Sequence, residues 1–151
     1  MQRKNKDTIE GSRMKLGEID FRMWSKLENG YIEYPALAKL GSVLPAKVHR
    51  ADRAIPFIEF DERDDKKEVE FWSGLRDLNN AKIYEGDIVA HYAEGGGIEY
   101  YSKVVFNQEK GAFEFVCIEH PITATFDELE NVDIGVVGNI HENPELLGGD
   151  K

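Results

Sequence analysis

The chain has 151 residues, of which 41% are hydrophobic and 32% are charged. This length fits one domain, or one small domain with an added arm, and provides enough apolar surface for a core. The sequence has no apolar run near the roughly 20 residues that cross a bilayer, and no apolar signal-peptide core follows its basic start. The sequence therefore argues against secretion and against insertion into a membrane, and we expect a cytoplasmic protein.

Acidic residues are concentrated in the second half of the chain. The whole sequence has 19 basic and 29 acidic residues and a net charge of -10. Residues 1–87 have 16 basic and 17 acidic groups, whereas residues 88–151 have 3 basic and 12 acidic groups, a net charge of -9. Such a surface repels phosphate backbones and anionic membranes. The single cysteine, Cys117, excludes an intrachain disulfide and fits a reducing compartment.

The first part of the chain predicts a polar leader followed by a β-hairpin. Residues 1–14 lack apolar periodicity and predict a flexible leader, so that Met14 is a candidate native start. Apolar and polar residues alternate from Ile19 to Trp24, and the turn residues Asn29 and Gly30 precede a second extended stretch. The pattern predicts an N-terminal hairpin extension over residues 15–67.

Residues 35–67 carry weaker signals. Pro35 favours a short helix that runs to Leu40 and stops at Gly41. Residues 55–60 read as a strand, and the charged residues 61–67 predict a solvated loop. Helix and strand therefore both stay open for this segment.

A turn-rich segment separates two strands in the middle of the chain. Val69 to Trp72 alternates as a strand, and residues 73–82 predict a loop with a tight turn at Asn80, since Asn tolerates positive φ. Gly86 and Asp87 predict a bend in which the Asp87 carboxylate accepts backbone N–H bonds.

The remaining pattern is dominated by short strands. The predicted elements are a strand through Tyr92, a glycine tip at 94–97, strands at 98–107 and 112–119, a capped helical turn at 125–130 and a buried strand at 134–140. Strands at short spacing favour a mainly β fold: a small SH3-like or related β-barrel over residues 68–147, with one or two short helices and a tail at 148–151.

No catalytic, metal or cofactor site is predicted. The four histidines are His49, His91, His120 and His141, and no two of them have the i,i+2 or i,i+4 spacing of a local metal pair. Residues 94–97 lack the Lys-Ser/Thr of a phosphate loop. Cys117 between two apolar neighbours is typical of a core residue. An enzyme in which His91 and His120 converge with carboxylates is the weakest interpretation.

Two sets of residues are candidates for contacts. The likeliest functional loop comprises Trp72, Ser73, Gly74, Leu75, Arg76 and Asp77, for which a purely structural role is the favoured alternative. The candidate interface aromatics are Trp24, Tyr100 and Tyr101. Because Tyr100 and Tyr101 are adjacent in a strand, they point to opposite faces, and one is expected to be exposed or in an interface.

Several segments together resemble the YopX-like family of small phage and prophage proteins. They are Ile19-Asp20-Phe21-Arg22-Met23-Trp24, Ser73-Gly74-Leu75-Arg76-Asp77, Ile83-Tyr84-Glu85-Gly86-Asp87-Ile88-Val89 and Val137-Gly138-Asn139-Ile140-His141-Glu142-Asn143-Pro144-Glu145-Leu146-Leu147. The resemblance implies a β-rich fold, a phage or prophage origin in a bacterium and a homo-oligomer, but no activity. Three positions depart mildly from the family pattern: Ser73 replaces Thr, Asn80 replaces Gly and His141 replaces Tyr.

The leading functional expectation is a non-enzymatic accessory protein that binds protein chains, itself included. Its partner is then a host or phage protein. The alternative is a nucleic-acid-associated protein whose basic N-terminal residues contact phosphates, or an acidic inhibitor that occupies a host nucleic-acid-binding protein. The basic residues are Arg3, Lys4, Lys6, Arg13, Lys15 and Arg22.

Overall fold

The computed structural model describes residues 18–33, 35, 65–128 and 133–148. Four expectations concern residues outside these ranges: the leader with Met14, the helix after Pro35, the strand at 55–60, and most of the charged loop at 61–67. No helix in the described ranges is long and apolar enough to cross a membrane.

The described chain is built mainly from β-strands, which confirms the predicted fold class. The strands are β1 (Phe21–Ser25), β2 (Gly30–Tyr31), β3 (Lys67–Arg76), β4 (Lys82–Tyr84), β5 (Asp87–Tyr92), β6 (Ile98–Asn107), β7 (Ala112–Cys117), β8 (Thr123–Thr125) and β9 (Asp133–Asn139). Two short 3-10 helices span Phe126–Glu128 and Pro144–Leu147. The Glu128 carboxylate accepts the N–H of Thr125 at 2.7 Å, which confirms the capped helical turn predicted there.

The chain divides into two compact units, one formed by Arg22–Glu70 and the other by Met1–Phe21 with Phe71–Lys151. In the Arg22–Glu70 unit, β1 and β2 form the predicted hairpin, with Trp24 paired to Tyr31. Asn29 adopts the positive φ of 52° that the tight turn requires.

A buried carboxylate organises polar contacts in the Arg22–Glu70 unit. Glu70 is 4% exposed. It accepts hydrogen bonds from the Arg22 guanidinium and from the Tyr31 hydroxyl. The Arg22 guanidinium also lies 4.8 Å from the centre of the Tyr31 ring. Pairing and hydrogen bonding of this kind are what a buried charge needs to be tolerated.

The larger unit contains a five-stranded antiparallel sheet with the order β8-β7-β6-β5-β9, which curls into a half-barrel. The alternation of side chains along these strands sends one row of apolar residues into a core. The core residues Ile83, Val89, Val104 and Phe115 are 2% exposed or less. Partly buried hydrophobics close around them, namely Phe113, Phe126, Ile134 and Val136.

The predicted loop at residues 73–82 is wrong for its first four residues. Strand β3 continues through Arg76, and its pairing with β4 shifts register between Trp72 and Arg76. Gly74 has a φ of 89°, a conformation that glycine adopts without strain, so the strand bulges there and pairing resumes at Arg76 with Lys82. The turn itself is confirmed at Asn80, whose φ is 66°.

The strand predicted at residues 134–140 is confirmed as β9, but the prediction that it is buried is wrong. Strand β9 lies at the end of the described sheet, and Val137 is 38% exposed. A continuous apolar run fits burial on both faces, but an edge strand broken by glycines buries only part of its surface.

Side-chain oxygens stabilise the bend before β5 and the turn after β9 by accepting backbone N–H groups. Asp87 is 1% exposed and its carboxylate accepts the N–H of Tyr84 at 2.8 Å, as predicted. The Asn139 side-chain oxygen accepts the N–H groups of His141 and Glu142 at 3.0 and 2.9 Å. The signature segments therefore include residues that hold turns.

Candidate functional site

The end of strand β3 has a locally fixed shape. The Trp72 indole N–H donates to the carbonyl of Leu75 at 2.8 Å, and the Ser73 hydroxyl accepts the N–H of Leu75 at 3.2 Å. Gly74 lies between these contacts at positive φ. These bonds fold the bulge on itself and present the Leu75 side chain, which is 42% exposed, at the surface.

Asp77 anchors the connection that follows the bulge. One carboxylate oxygen accepts the N–H groups of Asn79 and Ala81, both at 2.8 Å. The other oxygen accepts the N–H of Val136 on β9 at 2.9 Å. With Asp77 only 9% exposed, this carboxylate ties the connection to the edge strand.

Arg76 lies next to that anchor but is exposed and keeps unused donors. Its Nη1 donates to the carbonyl of Asn80 at 2.8 Å, and its guanidinium lies 5.7 Å from the centre of the Trp72 ring. Among the described residues, no carboxylate forms a salt bridge with Arg76. Since a guanidinium has five N–H donors, most of them remain available to a bound group.

A polar cluster that includes Lys82 also lies against the Trp72 ring. Lys82 Nζ lies 4.8 Å from that ring and donates to the Asp20 carboxylate. The Tyr84 hydroxyl donates to the same carboxylate at 2.6 Å. Burial raises the pKa of Asp20, but the hydrogen bonds from Lys82 and Tyr84 outweigh it and leave the pKa below its ordinary value.

Beside this segment lies a cavity of about 310 Å³. Its lining residues are Leu75, Arg76, Asp77, Leu78, Ile83, Phe115, Phe126, Asp133 and Ile134. The floor belongs to the core, because Ile83 and Phe115 are 1% and 2% exposed. The rim is open to solvent, because Leu75 and Leu78 are 42% and 54% exposed.

The walls of the cavity are held by packing and by the main chain. The rings of Phe115 and Phe126 are stacked, with centroids 4.1 Å apart. The N–H of Leu78 donates to the carbonyl of Ile134 at 3.0 Å. A backbone hydrogen bond therefore joins Leu78 at the rim to Ile134 in the wall.

Of the six residues of the predicted loop, Leu75, Arg76 and Asp77 line the cavity, while Trp72, Ser73 and Gly74 shape the bulge beside it. The sequence analysis missed Leu78 and Asp133, and also the cavity, because its walls come from strands far apart in the chain. The signal for Leu78 was an apolar residue inside a turn-rich, polar segment.

The three candidate interface aromatics lie elsewhere. Trp24 is only 5% exposed, with its ring edge against Tyr31. Tyr100 and Tyr101 are both half-buried. The Tyr100 ring stacks on His91, with centroids 4.2 Å apart.

His91 is a buried polar residue whose ring nitrogens lack hydrogen-bond partners among the described residues. It is 0% exposed. Its ring packs between Tyr100 and the edge of Phe115. Burial lowers the pKa of His91 to about 4, so the ring is neutral near pH 7.

Among the described candidate groups, Cys117 and His120 do not line the cavity. Cys117 is a buried free thiol on β7, which confirms the core interpretation. His120 is exposed. Within the described ranges, no group of three or more His, Cys, Asp or Glu side chains is arranged to hold a metal ion.

Comparison with known proteins gives a family and a fold. The family model described as YopX protein matches residues 20–148, which confirms the resemblance seen in the sequence. The crystal structure of protein EF1440 from Enterococcus faecalis is similar, with a TM-score of 0.53 and 22% identity. That similarity covers 85% of this chain and 97% of that one, and it supports the fold. No curated protein matches the chain.

Proposed function

The chain belongs to the YopX protein family, and from that premise we propose that it is a non-enzymatic accessory protein of a phage or prophage. In this proposal it works in the bacterial cytoplasm and binds a host or phage protein. The contact site is the cavity beside the end of β3. Family membership supports the phage origin, and the surface of the cavity supports the binding role.

The observation that carries the proposal is the exposure of Leu75 and Leu78 at the rim of a cavity whose floor is formed by core residues. Two large aliphatic side chains, 42% and 54% exposed, surround an opening whose floor is the core residues Ile83 and Phe115. Energetically dominant contacts between proteins are anchor side chains that fill well-packed pockets. A partner side chain entering this cavity removes the exposed rim residues Leu75 and Leu78 from water and packs against the core residues of the floor.

The placement of the reactive groups supports a non-enzymatic role. Asp77 is 9% exposed, and its carboxylate already accepts three backbone N–H bonds. A general base must lie within hydrogen-bond reach of the proton that it takes. His91 is enclosed by aromatic rings, and Cys117 is buried. None of these groups presents itself to a substrate in the cavity.

The proposal includes self-association. The same apolar rim offers a second copy of the chain a surface to cover, and closed symmetric assemblies are the usual form of soluble oligomers. Sedimentation of the wild-type chain is expected to show a species larger than a monomer. A monomer at all accessible concentrations contradicts this part of the proposal.

The function is tested by affinity capture from bacterial lysate, with and without nuclease, followed by mass spectrometry. We expect a stoichiometric protein partner that survives nuclease and is lost with Leu78→Glu. The matched control is Ile122→Glu, because Ile122 is 61% exposed but does not line the cavity. This variant is expected to retain the partner.

Two results contradict the proposal. One is a partner that Leu78→Glu and the wild type capture equally well. The other is recovery of nucleic acid alone, or of proteins that disappear after nuclease treatment. That second result favours the nucleic-acid-associated alternative.

A further inference from the structure

The cavity is small for a ligand pocket, and its floor and walls carry apolar side chains. Its volume is about 310 Å³, at the lower end of the roughly 300–1,000 Å³ range of ligand pockets. The floor and walls formed by Ile83, Phe115, Phe126 and Ile134 offer only carbon atoms from their side chains. Any polar group of a partner must therefore be recognised by the polar residues that line the cavity.

Arg76 is the cation at the cavity. It lines the cavity, is exposed and, within the described part of the chain, has no carboxylate as a salt-bridge partner. The neighbouring Asp77 carboxylate is occupied by three backbone N–H groups. The planar fork of a guanidinium suits two-point contact with a carboxylate. An anionic group beside the apolar anchor fits this arrangement.

A chain terminus supplies both groups from one residue. In the last residue of a protein, the α-carboxylate and the side chain are attached to the same Cα. The side chain can fill the cavity while the carboxylate meets Arg76, which lines the same cavity. An internal segment would need an apolar residue and a separate acidic residue, and its main chain would have to both enter and leave the opening.

The second charge at the opening indicates what precedes that terminal residue. Asp133 lines the cavity and is exposed. It belongs to residues 88–151, whose net charge is -9. A basic side chain upstream of the terminus therefore meets a complementary charge, whereas an acidic one is repelled.

We propose that the cavity binds the carboxyl terminus of a partner protein that ends in an apolar residue preceded by a basic one. This rests on the proposed function and names the class of partner. Arg76 receives the terminal carboxylate, and the apolar cavity receives the last side chain. Asp133 attracts the preceding basic residue.

The test is calorimetric titration of the full chain with a pair of matched peptides. Both have the sequence Ala-Ala-Lys-Lys-Leu, one with a free carboxyl terminus and the other with a terminal amide. The free acid is expected to bind at least about tenfold more tightly than the amide, because only the acid offers Arg76 a charged, two-point acceptor. The variant Arg76→Gln is expected to bind both peptides equally.

Two further peptides sharpen the result. A peptide ending in Glu-Glu-Leu is expected to bind more weakly than the one ending in Lys-Lys-Leu, and Asp133→Asn is expected to reduce that difference. A peptide ending in Lys-Lys-Ser is expected to lose binding because the small, polar side chain of its last residue does not fill the cavity.

The possible failures are distinguishable from failure of the proposed function. If acid and amide bind equally and Leu78→Glu abolishes both, the cavity is a protein-binding site but the terminal-carboxylate proposal is wrong. If no peptide ending in an apolar residue binds, this proposal is also overturned, while capture of a partner that Leu78→Glu loses would still support the proposed function. If that capture fails as well, both are wrong.

Discussion

Arg76 and Asp77 are neighbours in the sequence, but the structure uses them in opposite ways. The Asp77 carboxylate is 9% exposed and accepts three backbone N–H groups, so it belongs to the fold. Arg76 is exposed, and its hydrogen bond to the carbonyl of Asn80 engages one of its five donors. Two charged residues in one motif therefore separate into an anchor and a group available for binding.

The same division runs through the rest of the larger unit. Asp87, Asn139 and Asn143 hold turns through their side-chain oxygens. Leu75 and Leu78 instead expose large apolar surfaces at the rim of the cavity. Asp87, Asn139 and Asn143 are therefore structural positions, whereas Leu75 and Leu78 are candidate contact positions because they also line the cavity.

The largest expected effect on stability comes from Asp77→Ala. The substitution leaves three backbone N–H groups without their acceptor and frees the connection from β9. Each lost bond costs about 1–3 kcal/mol, with exposed donors at the low end because water replaces the carboxylate, so we expect a loss of about 4 kcal/mol. Urea denaturation measures it. Asp133→Ala is the control and is expected to leave the midpoint unchanged; equal loss in both variants would contradict the anchor role.

The next effect concerns His91 and pH. Its folded-state pKa of about 4 lies below the ordinary value of 6.5, so folding favours the neutral ring. Stability is then retained above about pH 6.5 and falls as the pH decreases toward 4, by about 3 kcal/mol in all. Denaturation curves between pH 7 and 4 measure this slope.

The control for this pH dependence is His91→Phe, which keeps an aromatic ring between Tyr100 and Phe115 and removes the titrating group. The free energy of unfolding of this variant is expected to change much less between pH 6.5 and 4.5 than that of the wild type. The lowered pKa of Asp20 produces losses at lower pH. A wild-type protein equally stable at pH 6.5 and 4.5 would show that the His91 ring is not buried as described.

A smaller loss is expected for Gly138→Ala. A Cβ at this position would lie 2.5 Å from the Asn143 side-chain oxygen, which accepts the N–H of Asn139. Asn143 must move and loosen the turn after β9, at a cost of about 2 kcal/mol. Gly97→Ala is the matched control, since nothing lies within 4 Å of its Cβ. Thermal unfolding of both variants compares them, and identical midpoints would contradict a structural role for this glycine.

The smallest effects on stability are expected at the rim. Leu78→Ser and Arg76→Gln change exposed side chains, so each should alter the free energy of unfolding by no more than about 0.5 kcal/mol. Denaturant melts of these variants provide the comparison with Asp77→Ala. A loss of several kcal/mol at Leu78 would place that residue with the structural anchors and remove it from the proposed contact surface.

Sequence patterns predicted the local features of the fold better than its exposed surfaces. The Asn29 and Asn80 turns, the capped turn at Glu128 and the Asp87 lock follow from short-range chemistry, and the structure has all of them. The β3 bulge was read as a loop because Ser73 and Gly74 are turn formers, whereas pairing with β4 carries the strand through them. Tertiary pairing overrode local propensity there.

The candidate site was only partly accessible to sequence reasoning. Leu75, Arg76 and Asp77 were selected from the signature segment. Phe115, Phe126 and Asp133 lie far from that segment in the sequence, and only the fold places all six residues around one cavity. Likewise, the continuous apolar run of β9 gave no sign that the strand lies at a sheet edge. Such placements depend on long-range topology, which periodicity does not encode.

Hydrogen exchange of the full chain, alone and with its captured partner, tests most directly whether partners bind at the cavity. We expect new protection in peptides that include Leu75 to Leu78 and Asp133 to Val136. We expect little change around Ile98 and Ile122, which are exposed but lie away from the cavity lining. Protection confined to those other regions, with exchange at Leu75 and Leu78 unaltered, would contradict the claim that partners bind at this cavity.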